Sequence, residues 1–158
     1  MYPVKKTSRD NTKIPSWGKR KMNKILKNEY LGRLAKVRKA MRERNLDLLL
    51  IYSNSLALGH ILYLSGFQIL TGSAVMVLPT EDEPTLFVDV DWDVVRAKEM
   101  SYVTDVRPSV ELPEDVYKYV KATRPLKKRI GIVGRETMSS LFHDSLINFL
   151  GRERVEFV

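Results

Sequence analysis

Residues 45–67 read NLDLLLIYSNSLALGHILYLSGF, and the reading of this stretch decides the fold. Residues 46–52 form a short, nearly continuous apolar run behind a strongly basic amphipathic segment, the pattern of a strand buried on both faces of an α/β sheet. Ser53 and Asn54 then offer cap chemistry for a short helix, and Ser65-Gly66 stops that helix just before Phe67. The expected path is a strand that feeds a helix, with the helix delivering Tyr63 and Phe67 to a fixed exit.

Upstream, Tyr30, Leu34, Val37 and Met41 fall on one helical stripe while Arg33, Lys36, Arg38, Lys39, Arg42 and Arg44 cover the rest. The spacing predicts a helix that begins between residues 23 and 28, ends at Asn45 and packs on the sheet. Residues 1–21 hold Pro3, Pro15 and Gly18 without periodicity and read as extended or disordered. Downstream, 73–78 and 85–88 are β-rich runs around the Pro-bounded, acid-rich turn 79–84, a hairpin whose tip lies in water. Asp91 or Asp93 caps a helix through Met100, and 102–106 is a brief strand closed by Pro108. Pro113 opens a helix that Pro125 ends, and residues 127–129 lead into the strand 130–133. A last helix starts at Thr137 or Ser139, buries Leu141, Leu146 or Ser145, and Phe149, and stops at Gly151, before a final strand at 155–158. This order makes an α/β domain with a mixed sheet of about five to six strands flanked by helices.

The net charge of +8 is unevenly distributed. Residues 1–44 hold 15 Lys/Arg against 3 Asp/Glu, and residues 45–158 hold 12 against 16. A basic arm of this kind is either a solvated tail or a nucleic-acid contact; neutralising about six phosphates would give a salt slope of roughly −5. Trp17 and Tyr2 are the only aromatics ahead of the first helix and no nucleic-acid-binding motif accompanies them, which favours the tail. The chain has no cysteine, so disulfides and thiolate metal sites are excluded and a reducing cytoplasm is the expected compartment. No apolar run approaches the roughly 20 residues that span a bilayer, and neither a signal peptide nor a membrane partner is expected.

Most candidate chemistry fails on inspection. Asp89, Asp91 and Asp93 open like a calcium loop, but Val94 stands where the turn needs glycine and Met100 where a bidentate glutamate is needed. His60 and His143 form no metal-gripping i, i+4 pair, and His143 reads as a helix-surface residue whose neighbour Asp144 points about 100° away. Gly131 and Gly134 lack the third glycine or the Lys-Ser/Thr of a phosphate cradle, so close packing accounts for them. No serine sits in a G-x-S-x-G elbow. The expectation is a packed domain with no catalytic residue and no metal site of its own.

The runs RLAKVRKAMRERNLDLLLIYSN, YLSGF, AVMVLPTEDEPTLFVD, VVRAKE and KRIGIVGRE, in order, resemble the N-terminal domain of the creatinase, prolidase and aminopeptidase P family. The likeness runs from Glu29 to Val158, and Tyr63-Leu64-Ser65-Gly66-Phe67 is similar to that family's Y-L-[TS]-G-F signature. It implies a ribonuclease-H-like outline over 29–158, with 1–28 as a basic extension longer than the family predicts. The chemistry it implies belongs to a second, pita-bread domain that would follow Val158, where a divalent metal pair (manganese, cobalt or zinc) activates water against the bond before proline. In this family the first domain supports a homodimer and walls the neighbouring subunit's active site, usually through the segment after the signature. Carried over, that role points to Tyr63, Phe67 and Gln68, with His60 one helical turn earlier. Tyr63 and Phe67 are also residues that a core would use; Gln68, polar and just past the exit, should be exposed. The expected partners are a second copy, the chain's own catalytic domain and, through it, a proline-containing peptide. Two other readings are a protein- or nucleic-acid-binding module on the same fold, and the first domain of a creatinase-like hydrolase.

Overall fold

The computed structural model describes residues 24–123 and 129–158. At its centre is β1 (Leu48–Asn54), paired along its whole length with antiparallel β2 (Ser73–Pro79) and, on its other side, with parallel β5 (Ile130–Val133). Antiparallel β3 (Thr85–Val88) follows β2, parallel β4 (Asp105–Pro108) follows β3, and parallel β6 (Val155–Phe157) follows β5. The result is a mixed six-stranded sheet of order β4-β3-β2-β1-β5-β6.

Alternation along β1 feeds two cores. Leu49 and Ile51 face a layer made by α1 (Lys24–Glu43), α2 (Gly59–Ser65) and α3 (Asp91–Met100). Leu48, Leu50 and Tyr52 face α4 (Leu112–Thr123) and α5 (Ser140–Leu150). Full burial of each such side chain is worth roughly 1.5–3 kcal/mol, which is why this run lies in the middle of the sheet.

The expected stripe of α1 faces the core: Tyr30, Leu34 and Met41 are buried and Val37 is packed against them. Asn45, at φ 55°, ends the helix, with Leu46 N–H donating to Met41 O at 2.8 Å and Asn45 N–H to Arg42 O at 3.0 Å, the paired bonds of a Schellman stop. The basic face of α1 reaches the β2–β3 turn. Arg38 donates to the carbonyls of Pro79 and Asp82, and Arg42 to Glu81 at 3.3 Å, so the acidic tip is exposed yet tied to the helix. At Gly131 a Cβ would meet Leu49 and Leu46 side chains below 3 Å, which bears out close packing as its reason.

Several expectations need correction. Strand β4 begins at Asp105 rather than at 102, because Tyr102 turns away to stack on Tyr30 at 5.0 Å and to donate its N–H to Ser65 O at 2.7 Å. Pro108 is part of this edge strand, where a missing N–H costs no ladder bond. Helix α5 is capped by Ser139, which accepts from Phe142 N–H at 3.2 Å, but it buries Leu146, Ile147 and Leu150. Leu141 is exposed and Phe149 is half-covered, stacked on Tyr117 of α4 at 5.3 Å. His143 is not a surface residue: its side chain is 18% exposed and its ring lies on Phe157 of β6 at 5.5 Å. Its Nδ1 also meets Asp144 Oδ1 at 2.8 Å, since rotation about the side-chain bonds closes the angle between neighbouring positions. The readings made for residues 1–21, for Pro125 and for 127–128 lie outside the described residues. Among those described, no helix is long and apolar enough to cross a membrane.

Candidate functional site

The Y-L-S-G-F run makes a helix end and a sharp exit, and Ser65 pins both. Fully buried, it donates from Oγ to Ile61 O at 2.7 Å and accepts from Phe67 N–H at 3.1 Å, closing the last turn of α2 onto the first residue after it. A hydroxyl that both donates and accepts is needed here, which serine or threonine supplies. Gly66 takes φ 73° and returns its N–H to Leu62 O at 3.0 Å. The start of α2 differs from expectation. Leu58 is the cap residue and has no side-chain bond; Ser53 caps from a distance, accepting from Ile61 N–H at 3.2 Å. Asn54 instead holds the turn before the helix, accepting from Leu56 and Ala57 N–H, and donates to Thr137 O.

The segment after Phe67 is held by two carboxylates, Asp93 and Asp89, the first of which the sequence reading offered as a helix cap. Asp93 is fully buried and does not cap α3; Val90 occupies that position. Its Oδ2 accepts from Leu70 N–H at 3.0 Å and Thr71 N–H at 3.2 Å, and its Oδ1 is ion-paired with Arg96. Arg96 in turn donates to Gln68 O at 3.2 Å and lies over the Phe67 ring at 5.6 Å. Asp89 accepts from Ser73 N–H at 2.9 Å with both oxygens, and burial raises its carboxyl above the ordinary aspartate value against that hydrogen bond. Trp92 donates from Nε1 to Thr71 Oγ1 at 3.0 Å. Three side chains of α3, Trp92, Asp93 and Arg96, thus hold residues 68–71, and Asp89, just ahead of that helix, holds Ser73.

Of the four residues singled out in the sequence, Tyr63 is half exposed, with the Arg33 guanidinium 4.5 Å over its ring and donating to its carbonyl at 2.9 Å. Gln68 is exposed in the exit segment. Phe67 has no exposed surface; it anchors the exit from inside the core and has nothing to offer a partner directly. His60 is exposed and pairs with Glu136 at 3.2 Å, on the far side of α2 from the core, in the turn after β5. The pair holds Glu136 below the ordinary glutamate value, behind a backbone hydrogen bond as the larger cause. Tyr63 and Gln68 are thus exposed on either side of the exit, held by Arg33 and Arg96 respectively, and His60 is on a separate tether. Sequence reasoning read Asp93 as a helix cap and gave Arg33, Arg96 and Trp92 no part in the site. The i, i+3 spacing of Asp93 and Arg96 signals an ion pair, but not its burial. Among the described residues, no group of three or more His, Cys, Asp or Glu is placed to hold a metal ion.

The family model of the Creatinase/Prolidase N-terminal domain matches residues 33–158. The chain belongs to that family. Among solved structures, the X-Pro aminopeptidase from Thermotoga maritima MSB8 is similar at 21% identity with a TM-score of 0.64, over 80% of this chain and 33% of that one. The N-terminal domain of the cytoplasmic peptidase PepQ from Mycobacterium tuberculosis H37Rv is similar at 19% identity and TM-score 0.62, over 80% of this chain and 91% of that one. The prolidase from Pyrococcus horikoshii OT3 gives 21% and 0.61, over 80% and 32%. At these identities the likeness is one of fold, and the chain spans about a third of the length of the Pyrococcus horikoshii prolidase. No curated protein matches the chain. As a creatinase/prolidase N-terminal domain, the chain carries the family's Y-L-S-G-F turn with every polar atom of Ser65 in use.

Proposed function

We propose that this chain serves as the non-catalytic N-terminal domain of a metal-dependent Xaa-Pro dipeptidase or aminopeptidase, supporting dimerisation and shaping the substrate pocket of a catalytic domain. In this reading residues 29–158 are the domain and 1–28 a basic extension. The divalent metal pair, manganese, cobalt or zinc, sits in the catalytic domain, and the whole works as a cytoplasmic homodimer. The observation that carries it is the exit segment: Gln68, Leu70 and Trp92 are exposed, and the backbone of Gln68, Leu70 and Thr71 is locked by Asp93 and Arg96. An exposed apolar edge held this firmly suits a contact surface, because little ordering entropy is lost when something binds it.

Two measurements test this. The purified 158-residue chain, supplied with manganese or cobalt and a Xaa-Pro dipeptide, is expected to show no hydrolysis; turnover would overturn the non-catalytic reading. Sedimentation equilibrium is expected to give twice the chain mass in the wild type and a monomer after Leu70→Glu. A wild type that stays monomeric at all concentrations would remove the dimer. A nucleic-acid-binding reading draws on the 15 Lys/Arg against 3 Asp/Glu in residues 1–44. In and just after α1, however, Arg33, Arg42 and Arg44 are paired with Glu29, Glu81 and Glu156, which weakens that reading for this part of the basic stretch.

A further inference from the structure

We propose that the free edge of β6 takes up an extended, acidic segment of another protein as a seventh strand of the sheet. β6 is the last strand in the order, and its residues are half-buried, with no strand beyond them among the described residues. Val158 N–H donates to Ile132 O at 3.1 Å, so by the alternation of the ladder Glu156 also faces β5 and Phe157 faces away. Val155 N–H already donates to Arg152 O, which leaves Val155 C=O and both backbone groups of Phe157 for an incoming strand. The opposite edge is closed to such pairing: β4 carries Pro108, which has no N–H, and the exposed Asp105–Arg107 pair. On β6 the one charged side chain, Glu156, is held by Arg44 and Arg129.

Beside this edge lies a groove of about 470 Å³ lined by His143, Asp144, Ile147, Asn148, Gly151 and Arg152. Phe149 of the same helix stacks on Tyr117 of α4, which lies over β2 and β3. Asp144 and Ile147 sit roughly 140–160° round α5 from Phe149, so the groove is on the flank away from α4, where His143 meets Phe157 of β6. Phe157 turns its ring to α5, and a residue paired with it would turn its side chain the same way, toward the groove. Charge selects the occupant. Arg152 in the groove and Arg135, 4.6 Å over the Phe157 ring, are exposed and have no carboxylate partner among the described residues. The neighbouring acids are engaged, Asp144 by His143 at 2.8 Å and Glu153 by Arg154 at 3.4 Å. A second copy across a two-fold axis would bring the guanidiniums of both copies together, whereas an acidic strand neutralises them.

The test uses this chain in the Leu70→Glu background, which keeps it independent of the interface proposed above, and two fluorescein-labelled heptapeptides. One alternates glutamate with valine, the other lysine with valine. Fluorescence anisotropy is expected to give a Kd about tenfold lower for the glutamate peptide. Arg152→Glu, which leaves the Arg135–Phe157 contact in place, should raise that Kd about threefold, and adding Arg135→Glu should raise it about tenfold. Hydrogen exchange at Phe157 N–H should slow when the glutamate peptide is bound, and N-methylation of alternate peptide amides should abolish binding in one phase of the alternation only. Equal binding of the two peptides, no binding of either, or unchanged exchange at Phe157 in the complex overturns the proposal. So does protection of Phe157 that grows with protein concentration, without peptide, alongside a doubled mass; the edge would then belong to a second copy.

Discussion

A Cβ added to Gly66 would lie 2.7 Å from Cε2 of Tyr102, and the glycine holds φ 73°. The signature turn is therefore closed from both sides, by backbone conformation and by the aromatic ring that stacks on Tyr30. Gly66→Ala is expected to lower stability by roughly 2–4 kcal/mol, from left-handed strain and from overpacking together. Urea denaturation measures it. Adding Tyr102→Ala should not restore the wild-type midpoint, since the strain stays; a single mutant within about 0.5 kcal/mol of wild type would contradict the argument.

Asp93 is a buried acceptor for two amides and one guanidinium. Asp93→Ala leaves all three unmatched and should cost about 3–5 kcal/mol, the range for breaking a buried pair. Asp93→Asn keeps an oxygen for Leu70 and Thr71 and should cost less. Hydrogen exchange at those two amides should accelerate in both variants before exchange in β1 does, and unchanged exchange there would deny Asp93 its holding role.

Burial pushes the Tyr30 phenol from 10.0 up to about 12, with Glu83 adding to the effect, and its hydroxyl has no hydrogen-bond partner among the described residues. Between those values the unfolded chain gives up the proton first, so stability falls as pH rises through the window. Tyr30→Phe should remove that fall, keep the stack on Tyr102 and leave stability at pH 7 equal or up to about 1 kcal/mol higher. Thermal melts at pH 7 and pH 11 compare the two proteins; a clear loss at pH 7 would mean that the hydroxyl has a partner after all.

Asp89 and Asp105 shift in opposite directions from 3.8. Asp105, lowered first by its hydrogen bond from Arg107, contributes stability that is present above 3.8 and lost as pH falls through its folded value. Asp89, raised by burial, does the reverse: the folded chain takes the proton first, and stability rises as pH falls through its folded value towards 3.8. Asp105→Asn should flatten the acid limb of the stability curve and Asp89→Asn should steepen it, as read by urea midpoints between pH 3 and pH 6. The same sign of change in both would refute the assignment.

Local pattern made much of this architecture legible. The i, i+4, i+7, i+11 stripe on α1, the apolar run of β1, the Pro-bounded hairpin, the Gly66 stop and the Ser139 cap each report an interaction within a few residues, or a face whose period is fixed by backbone geometry. What was misread involved a choice between equivalent local options. Helix α5 carries apolar residues at 141, 142, 146, 147, 149 and 150, enough for more than one stripe. The stack of Phe149 on Tyr117 and of His143 on Phe157 selects the face that is buried.

The candidate site divides the same way. The exposure of Gln68 was legible because the signature turn is local and its next polar residue has no core to enter. Asp93 was not, because an aspartate in a first helical turn reads as a cap until the chain 22 residues upstream, at Thr71, brings its amides to it. The sequence by itself determined which segments are helix and strand, the family, and the sharp exit at Gly66, since backbone sterics and apolar periodicity act over a few residues. The tertiary structure alone decided that acids on α3 pin the segment after that exit and leave Trp92 facing outward. Burying a carboxylate is tolerable only where distant backbone donors converge on it, and that convergence exists only once β2, β3 and α3 have packed.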